Sequence, residues 1–261
     1  MKKYVELYWA FFRASFIADM EFRANFLTRI LTDIFWYVAQ VGSFEVFYQF
    51  TPKIGDWGRA ETRVFLGILF VVDAIYMVMF NENLDQLPEK VRRGQLDLLL
   101  AKPVNSQFML SLQKANTAIL GNFILGASWL VWALLQRPDF SWWRTLWLLV
   151  LIPCGVCIFY CVRFLFATTS VMFTKAENIQ YLWYQIYRLG MRPDSIYVPW
   201  MRVLILSIVP VGIIASVPAR FLLEAPNYPM LLWAIFLAGF ALFLSSRFWL
   251  YALGKYSSAS S

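Results

Sequence analysis

A chain of 261 residues that is 60% hydrophobic and 15% charged departs from a soluble domain of that length, which carries about 45–50% apolar and about 25% charged residues. The complete absence of histidine excludes His-based acid–base catalysis, His metal ligation and a His pH switch. The net charge of +7 reads as Lys and Arg in cytoplasmic loops, not as a nucleic-acid footprint, so the class is an all-α, polytopic membrane protein.

Residues 2–22 predict an amphipathic helix. Lys3, Glu6, Ala10 and Arg13 share one face, and Tyr4, Leu7, Tyr8, Phe11, Phe12 and Phe16 cover the others. Such a helix is too charged to span and too aromatic for water, so it is expected to lie in the membrane interface. Met1-Lys2-Lys3 resembles the start of a signal peptide, but Glu6, Arg13 and Asp19 interrupt the apolar stretch that would follow.

Six spanning segments are expected near 26–50, 64–80, 108–135, 145–171, 201–218 and 229–250, within one transmembrane domain covering 1–261. The first is the least apolar, with Arg29, Asp33, Gln40 and Glu45 inside it. Arg29 and Asp33 are four residues apart, and Trp36 and Gln40 continue the stripe. They read either as the lining of a path or subunit interface, or as a pair near the headgroups where Arg29 snorkels. Asp73 in the second span has no opposite charge three or four residues away, so its partner must come from another helix or subunit. Arg163 on the fourth span is one candidate. Cys154, Cys157 and Cys161 share a helix face and read as small buried or lipid-facing side chains.

Lys and Arg concentrate at both termini and in 81–107 and 175–199, and are sparser in 51–63, 137–144 and 218–229. The positive-inside rule then puts the termini, 81–107 and 175–199 in the cytoplasm. Residues 218–229, with three prolines, read as a short external segment, partly re-entrant.

The stretch 81–93 has Leu84, Leu87 and Val91 at helical spacing, with Glu82, Asp85, Glu89, Lys90, Arg92 and Arg93 between them. This is a short amphipathic helix that tolerates Pro88 in a first turn or a kink. Gly94 ends it, Gln95–Leu100 resumes, and Lys102-Pro103 stops the chain before the third span. It reads as a solvated connector or as a charged elbow against which a partner pushes.

The run Arg93-Gly94-Gln95-Leu96-Asp97-Leu98-Leu99-Leu100-Ala101-Lys102-Pro103-Val104-Asn105-Ser106-Gln107-Phe108 resembles the R-G-x-L-D-x-L-L-x-x-P-x-N-x-x-F element of ABC-2 type permeases. Pro193-Asp194-Ser195-Ile196-Tyr197 resembles that family's P-x-x-I-Y stretch. Pro210 with Val217-Pro218-Ala219-Arg220 resembles its P…P-A-R pattern, and Tyr256-Ser257-Ser258-Ala259 its closing Y-S-S-A. The resemblance implies an interfacial helix, six spans, and a coupling helix between spans two and three that docks into a separate nucleotide-binding subunit. It also implies a second permease subunit, the same or different, across the pathway, in a bacterial cytoplasmic (inner) membrane. Carried over residue by residue, the coupling element maps onto Arg93, Gly94, Leu96, Asp97, Leu99, Leu100, Pro103 and Asn105. Charge and position add Glu89, Lys90 and Arg92.

The chain has no Gly-x4-Gly-Lys-Ser/Thr loop. Gly254-Lys255 lacks the upstream glycine and is followed by Tyr256. No cofactor is therefore expected in this chain, and ATP and Mg belong to the partner subunit. Two other classes compete with a permease: a membrane-anchored assembly or scaffold protein, and a lipid-acting enzyme, for which no nucleophile–base pair is visible.

Overall fold

The computed structural model describes residues 2–21, 23–138, 141–173 and 177–256; Lys175 and the tail Ser257-Ser258-Ala259 lie outside them. Among the described residues the secondary structure is helical, apart from a single bridge between Ile54 and Trp57.

Helix α1 (Lys2–Glu21) precedes α2 (Arg23–Phe50) and α3 (Arg59–Tyr76). The start of α3 is set by Gly58, whose N–H donates to Glu61 Oε2 at 3.0 Å. That carboxylate also complements the positive end of the helix. The helix runs on through a π turn, Met77–Asn81, into α4 (Glu82–Asp85) and α5 (Leu87–Arg92), with Pro88 in the first turn of α5. Gly94, at φ +69°, reverses the chain into α6 (Gln95–Leu100), a conformation that costs any residue with a Cβ. Asn105 then caps α7 (Ser106–Leu112), its Oδ1 accepting the Phe108 N–H at 2.9 Å. The remaining helices are α8 (Leu120–Leu135), α9 (Trp142–Leu146), α10 (Leu148–Met172), α11 (Glu177–Gly190), α12 (Pro199–Val203), α13 (Ser216–Leu223) and α14 (Tyr228–Lys255).

Four helical runs are long and apolar enough to cross a membrane: Arg59–Arg92, Thr117–Leu135, Trp142–Met172 and Tyr228–Lys255. Helix α2 has the length, 28 residues or about 42 Å at about 1.5 Å per residue, but carries the charged stripe. The core is built around α3, whose residues 64–74 are all buried, as expected of a helix apolar on every side. It lies against α8 closely enough that a Cβ on Gly67 would sit 2.7 Å from Leu130 Cα, and one on Gly126 would sit 2.9 Å from Phe70 Cβ. Small residues are what permit that approach. Helix α10 packs between α3 and α14.

The second half departs from expectation. Residues 201–218 do not form one span. They break into α12, a π turn over Leu204–Ile208, a kink at Val209 and Pro210, a short 3₁₀ turn over Val211–Ile213, and α13. Pro210 cannot donate into a helix and pushes Val209 to an extended conformation, with ψ 82°. Helix α11, expected within a loop, instead packs antiparallel to α10. Trp183 meets Phe166 at 5.9 Å between ring centroids, and further along Tyr187 meets Phe159 at 4.6 Å. Residues 193–199 therefore sit at the opposite end of the bundle from α4–α6.

An ion network fixes that end. Asp194 is fully buried and accepts from Arg220 Nε and Nη2 at 3.1 and 3.0 Å, and from Arg202 Nε at 2.6 Å. Arg220 also holds Glu224 at 2.7 Å and lies 5.2 Å from the Trp57 ring. The segment 51–58 is thus gathered to 194–224, at the end of the bundle opposite the 81–107 connector with which 175–199 was expected to share a side.

Candidate functional site

Two features carry chemistry: a cleft beside α2 and the charged connector α4–α6. The cleft holds about 980 Å³, the upper end of the range for small-molecule sites of about 300–1,000 Å³. Its walls come from α2, α3, α11 and the start of α8. The α2 stripe predicted from spacing enters as Asp33, Trp36 and Gln40, and Asp73 joins from α3. Aromatic rings of Tyr37, Phe44, Tyr184 and Tyr187 complete the lining, with the exposed Arg188 and Arg192 also among its residues.

The polar partners differ from those anticipated. Asp33 accepts from Asn122 Nδ2 at 2.7 Å, and the side chain of Arg29 is exposed. No ion pair joins Arg29 to Asp33 among the described residues. Asp73 is buried and accepts from the Tyr187 hydroxyl at 2.6 Å, not from Arg163. Arg163 pairs instead with Asp85 at 2.5 Å. Of the five anticipated polar residues, Asp33, Gln40 and Asp73 share one cleft, while Arg29 and Arg163 lie outside it. Glu45 is held by Arg63 at 2.6 Å and Arg59 at 3.5 Å.

Tyr37, Asn122, Tyr184 and Tyr187 were not anticipated. A signal existed for α11: its buried residues Trp183, Tyr187 and Gly190 fall at i, i+4, i+7, the stripe of an amphipathic helix facing protein.

The connector residues divide into two groups, with Asp97 half-buried in the first turn of α6 between them. Leu96 and Leu99 are buried and Leu100 packs on the core. Gly94 supplies the reversal and Asn105 the cap, so these residues shape the hairpin. Glu89, Arg92, Arg93, Leu98, Lys102 and Pro103 line its outer side. Glu89 pairs with both Arg92 and Arg93, and the Arg93 bond foremost holds its carboxyl below the usual range. Lys90, half-buried and near Lys114, is pulled below the usual ammonium range, chiefly by burial.

The connector is braced from behind. Asn83 Nδ2 donates to the Lys114 carbonyl at 2.7 Å, and Lys114 pairs with Glu82. Helix α1 is pinned to the same end: Thr117 donates to Asp19 from its N–H and hydroxyl at 3.1 and 2.6 Å, and the Ala115 N–H donates to Ser15 at 3.0 Å.

The family model described as ABC-2 family transporter protein matches residues 34–260. No curated protein and no solved structure matches the chain. The match takes in the connector, all four long apolar helices and the cleft apart from Thr32 and Asp33, and permeases of this family are membrane subunits without an ATPase site of their own. The chain belongs to the ABC-2 transporter family and is a multi-pass membrane permease component.

Proposed function

We propose that the chain is one permease subunit of an ATP-driven exporter. In this reading α2, α3, α8, α10, α11 and α14 are its six spans, with both termini in the cytoplasm of a bacterium. Helices α12 and α13 are a re-entrant pair on the outer side. Helix α1 lies in the inner interface, and the exposed apolar faces of α8 and α14 meet lipid. The cleft is this subunit's half of the pathway, completed by a second permease subunit.

The observation that carries the reading is the braced connector. Its leucines are anchored in the core while Glu89, Arg92, Arg93, Leu98 and Lys102 face outward. A rigid, charged hairpin on a chain without a P-loop suits contact with a separate ATPase subunit, which would bring ATP and Mg. The cleft suits an amphipathic cargo. Asp33 and Asp73 have hydrogen-bond donors but no cationic partner among the described residues. A carboxylate inside a membrane costs about 2.5–3.5 kcal/mol on insertion scales, and a basic group on the cargo would offset that. A scaffold protein has no use for such a cleft.

Affinity purification of the chain in mild detergent tests the assignment. A co-purifying subunit with a P-loop is the expected result, and Gly94→Pro or Asp97→Arg should insert normally yet fail to support ATP-driven transport. Normal transport by both variants would refute the connector's role.

A further inference from the structure

An ionic junction, buried on the Arg163 side and open on the Asp85 and Tyr184 side, ties the connector to the cleft. Arg163 lies on α10 with 0% of its surface exposed, and its Nη2 donates to Asp85 Oδ1 at 2.5 Å. A guanidinium buried in an apolar helix is retained only when paired. Asp85 is the last residue of α4, immediately ahead of the turn into α5. The same carboxylate accepts from the Tyr184 hydroxyl at 3.3 and 3.4 Å. Tyr184 lies on α11 and lines the cleft, and three residues further along the same helix Tyr187 holds Asp73. One acid at the root of the connector therefore grips both helices that separate it from the cleft.

Nε and Nη1 of Arg163 and the hydroxyl of Tyr76 are buried without a hydrogen-bond partner among the described residues. Tyr76 stacks on Phe159 at 3.8 Å, and Phe159 stacks on Tyr187 at 4.6 Å. A chain of packed rings thus runs from the neighbourhood of Arg163 to the carboxylate of Asp73.

We propose that Asp85, Arg163 and Tyr184 form a latch that carries displacement of the connector into the cleft. With the connector as it stands, Asp85 holds Arg163 and Tyr184 together. When a partner displaces the connector, Asp85 leaves, Tyr184 is freed to turn in the cleft wall, and Arg163 turns its spare donors toward Tyr76. Asp85 and Arg163 act as positioning residues and do not touch cargo. The inference rests on the connector being the ATPase contact.

The test uses the full chain with its co-purified P-loop subunit in lipid nanodiscs, with and without ATP, followed by hydrogen exchange and mass spectrometry. In the wild type, ATP is expected to change exchange in both 95–100 and 181–192. The double variant Asp85→Ala/Arg163→Met removes both charges and leaves neither one buried alone. It should keep the P-loop subunit and the response at 95–100, and lose the response at 181–192 by about fivefold or more. Tyr184→Phe should lower that response by about twofold while keeping the P-loop subunit bound.

A full response at 181–192 in the double variant overturns the latch. Should the double variant not assemble, an unchanged response in Tyr184→Phe overturns it. A wild-type chain that retains no P-loop subunit, or whose 95–100 segment ignores ATP, refutes the functional reading and the latch with it. Loss at 181–192 alone, in variants that keep the subunit, supports the latch.

Discussion

Asp194→Asn tests the revised arrangement of the second half most directly. Asp194 is fully buried and takes three hydrogen bonds from Arg220, between 3.0 and 3.2 Å, and one from Arg202 at 2.6 Å. Breaking a buried pair by removing one partner costs about 3–5 kcal/mol. Arg220 keeps Glu224 and the Trp57 face, which relieves part of its loss, and the expected destabilisation is about 2–4 kcal/mol. At about 2–4 °C per kcal/mol for a chain of this size, Tm should fall by roughly 5–15 °C. Arg220→Lys keeps the charge but loses the fork, so it should cost about 1–2 kcal/mol. Arg202 is 36% exposed and can return to solvent, so Arg202→Ala should cost less than about 1 kcal/mol. Thermal unfolding in detergent, followed by tryptophan fluorescence, reads all three. The reasoning fails if Arg202→Ala is as damaging as Asp194→Asn, or if Asp194→Asn unfolds with the wild type.

The position of 193–199 can also be read from outside. Ile196→Cys and Lys53→Cys should react with an impermeant maleimide from one side of sealed vesicles, and Leu98→Cys from the other; labelling of Ile196→Cys and Leu98→Cys from the same side would contradict α11 as a crossing helix. Gly67→Leu forces α3 and α8 apart, since even a Cβ there would lie 2.7 Å from Leu130 Cα, and should cost about 1–3 kcal/mol by overpacking. Gly67→Ala should cost less, because the gain of about 1 kcal/mol in helix propensity opposes the clash. Equal Tm for wild type and Gly67→Leu would rule out the close approach. Asp33→Asn and Asp73→Asn should each weaken binding of a basic amphipathic dye by about tenfold, read by fluorescence titration, and unchanged affinity would remove the carboxylates from the cargo site.

Much of the first half is legible in the sequence because its signals are local. The stripe Asp33, Trp36 and Gln40 repeats at helical spacing, and the structure turns that face into the cleft. Pro88 and Gly94 mark where the connector starts and reverses, and both do so. The second half misleads for a physical reason: hydropathy records withdrawal from water and cannot separate burial in protein from burial in lipid. Residues 210–222 are buried almost without interruption, yet they fold back on themselves. Helix α11 carries its apolar surface on Trp183 and Tyr187 and turns Tyr184 and Arg188 to the cleft, so its average looks like a loop. The decisive bonds, Asp194 to Arg220 and Asp85 to Arg163, join residues 26 and 78 apart, beyond the reach of any periodicity.

The connector shows how a sequence motif and a contact surface come apart. Leu96, Leu99 and Asn105 belong to the family-like element, yet two of them are buried in this subunit and the third caps its next helix. Their spacing reflects what the hairpin needs in order to exist: two leucines on the inward face of α6, a glycine where φ is positive, and a cap where α7 begins. In the proposed function a partner would meet what this frame presents, which is the Glu89–Arg92–Arg93 cluster with Leu98, Lys102 and Pro103. Surface charges cost little to change in the isolated chain, whereas the buried set fixes the geometry of the subunit. Substitutions should therefore divide accordingly, with Leu96 and Leu99 lowering stability before they affect the partner, and Arg92 and Arg93 weakening the partner while leaving the fold intact.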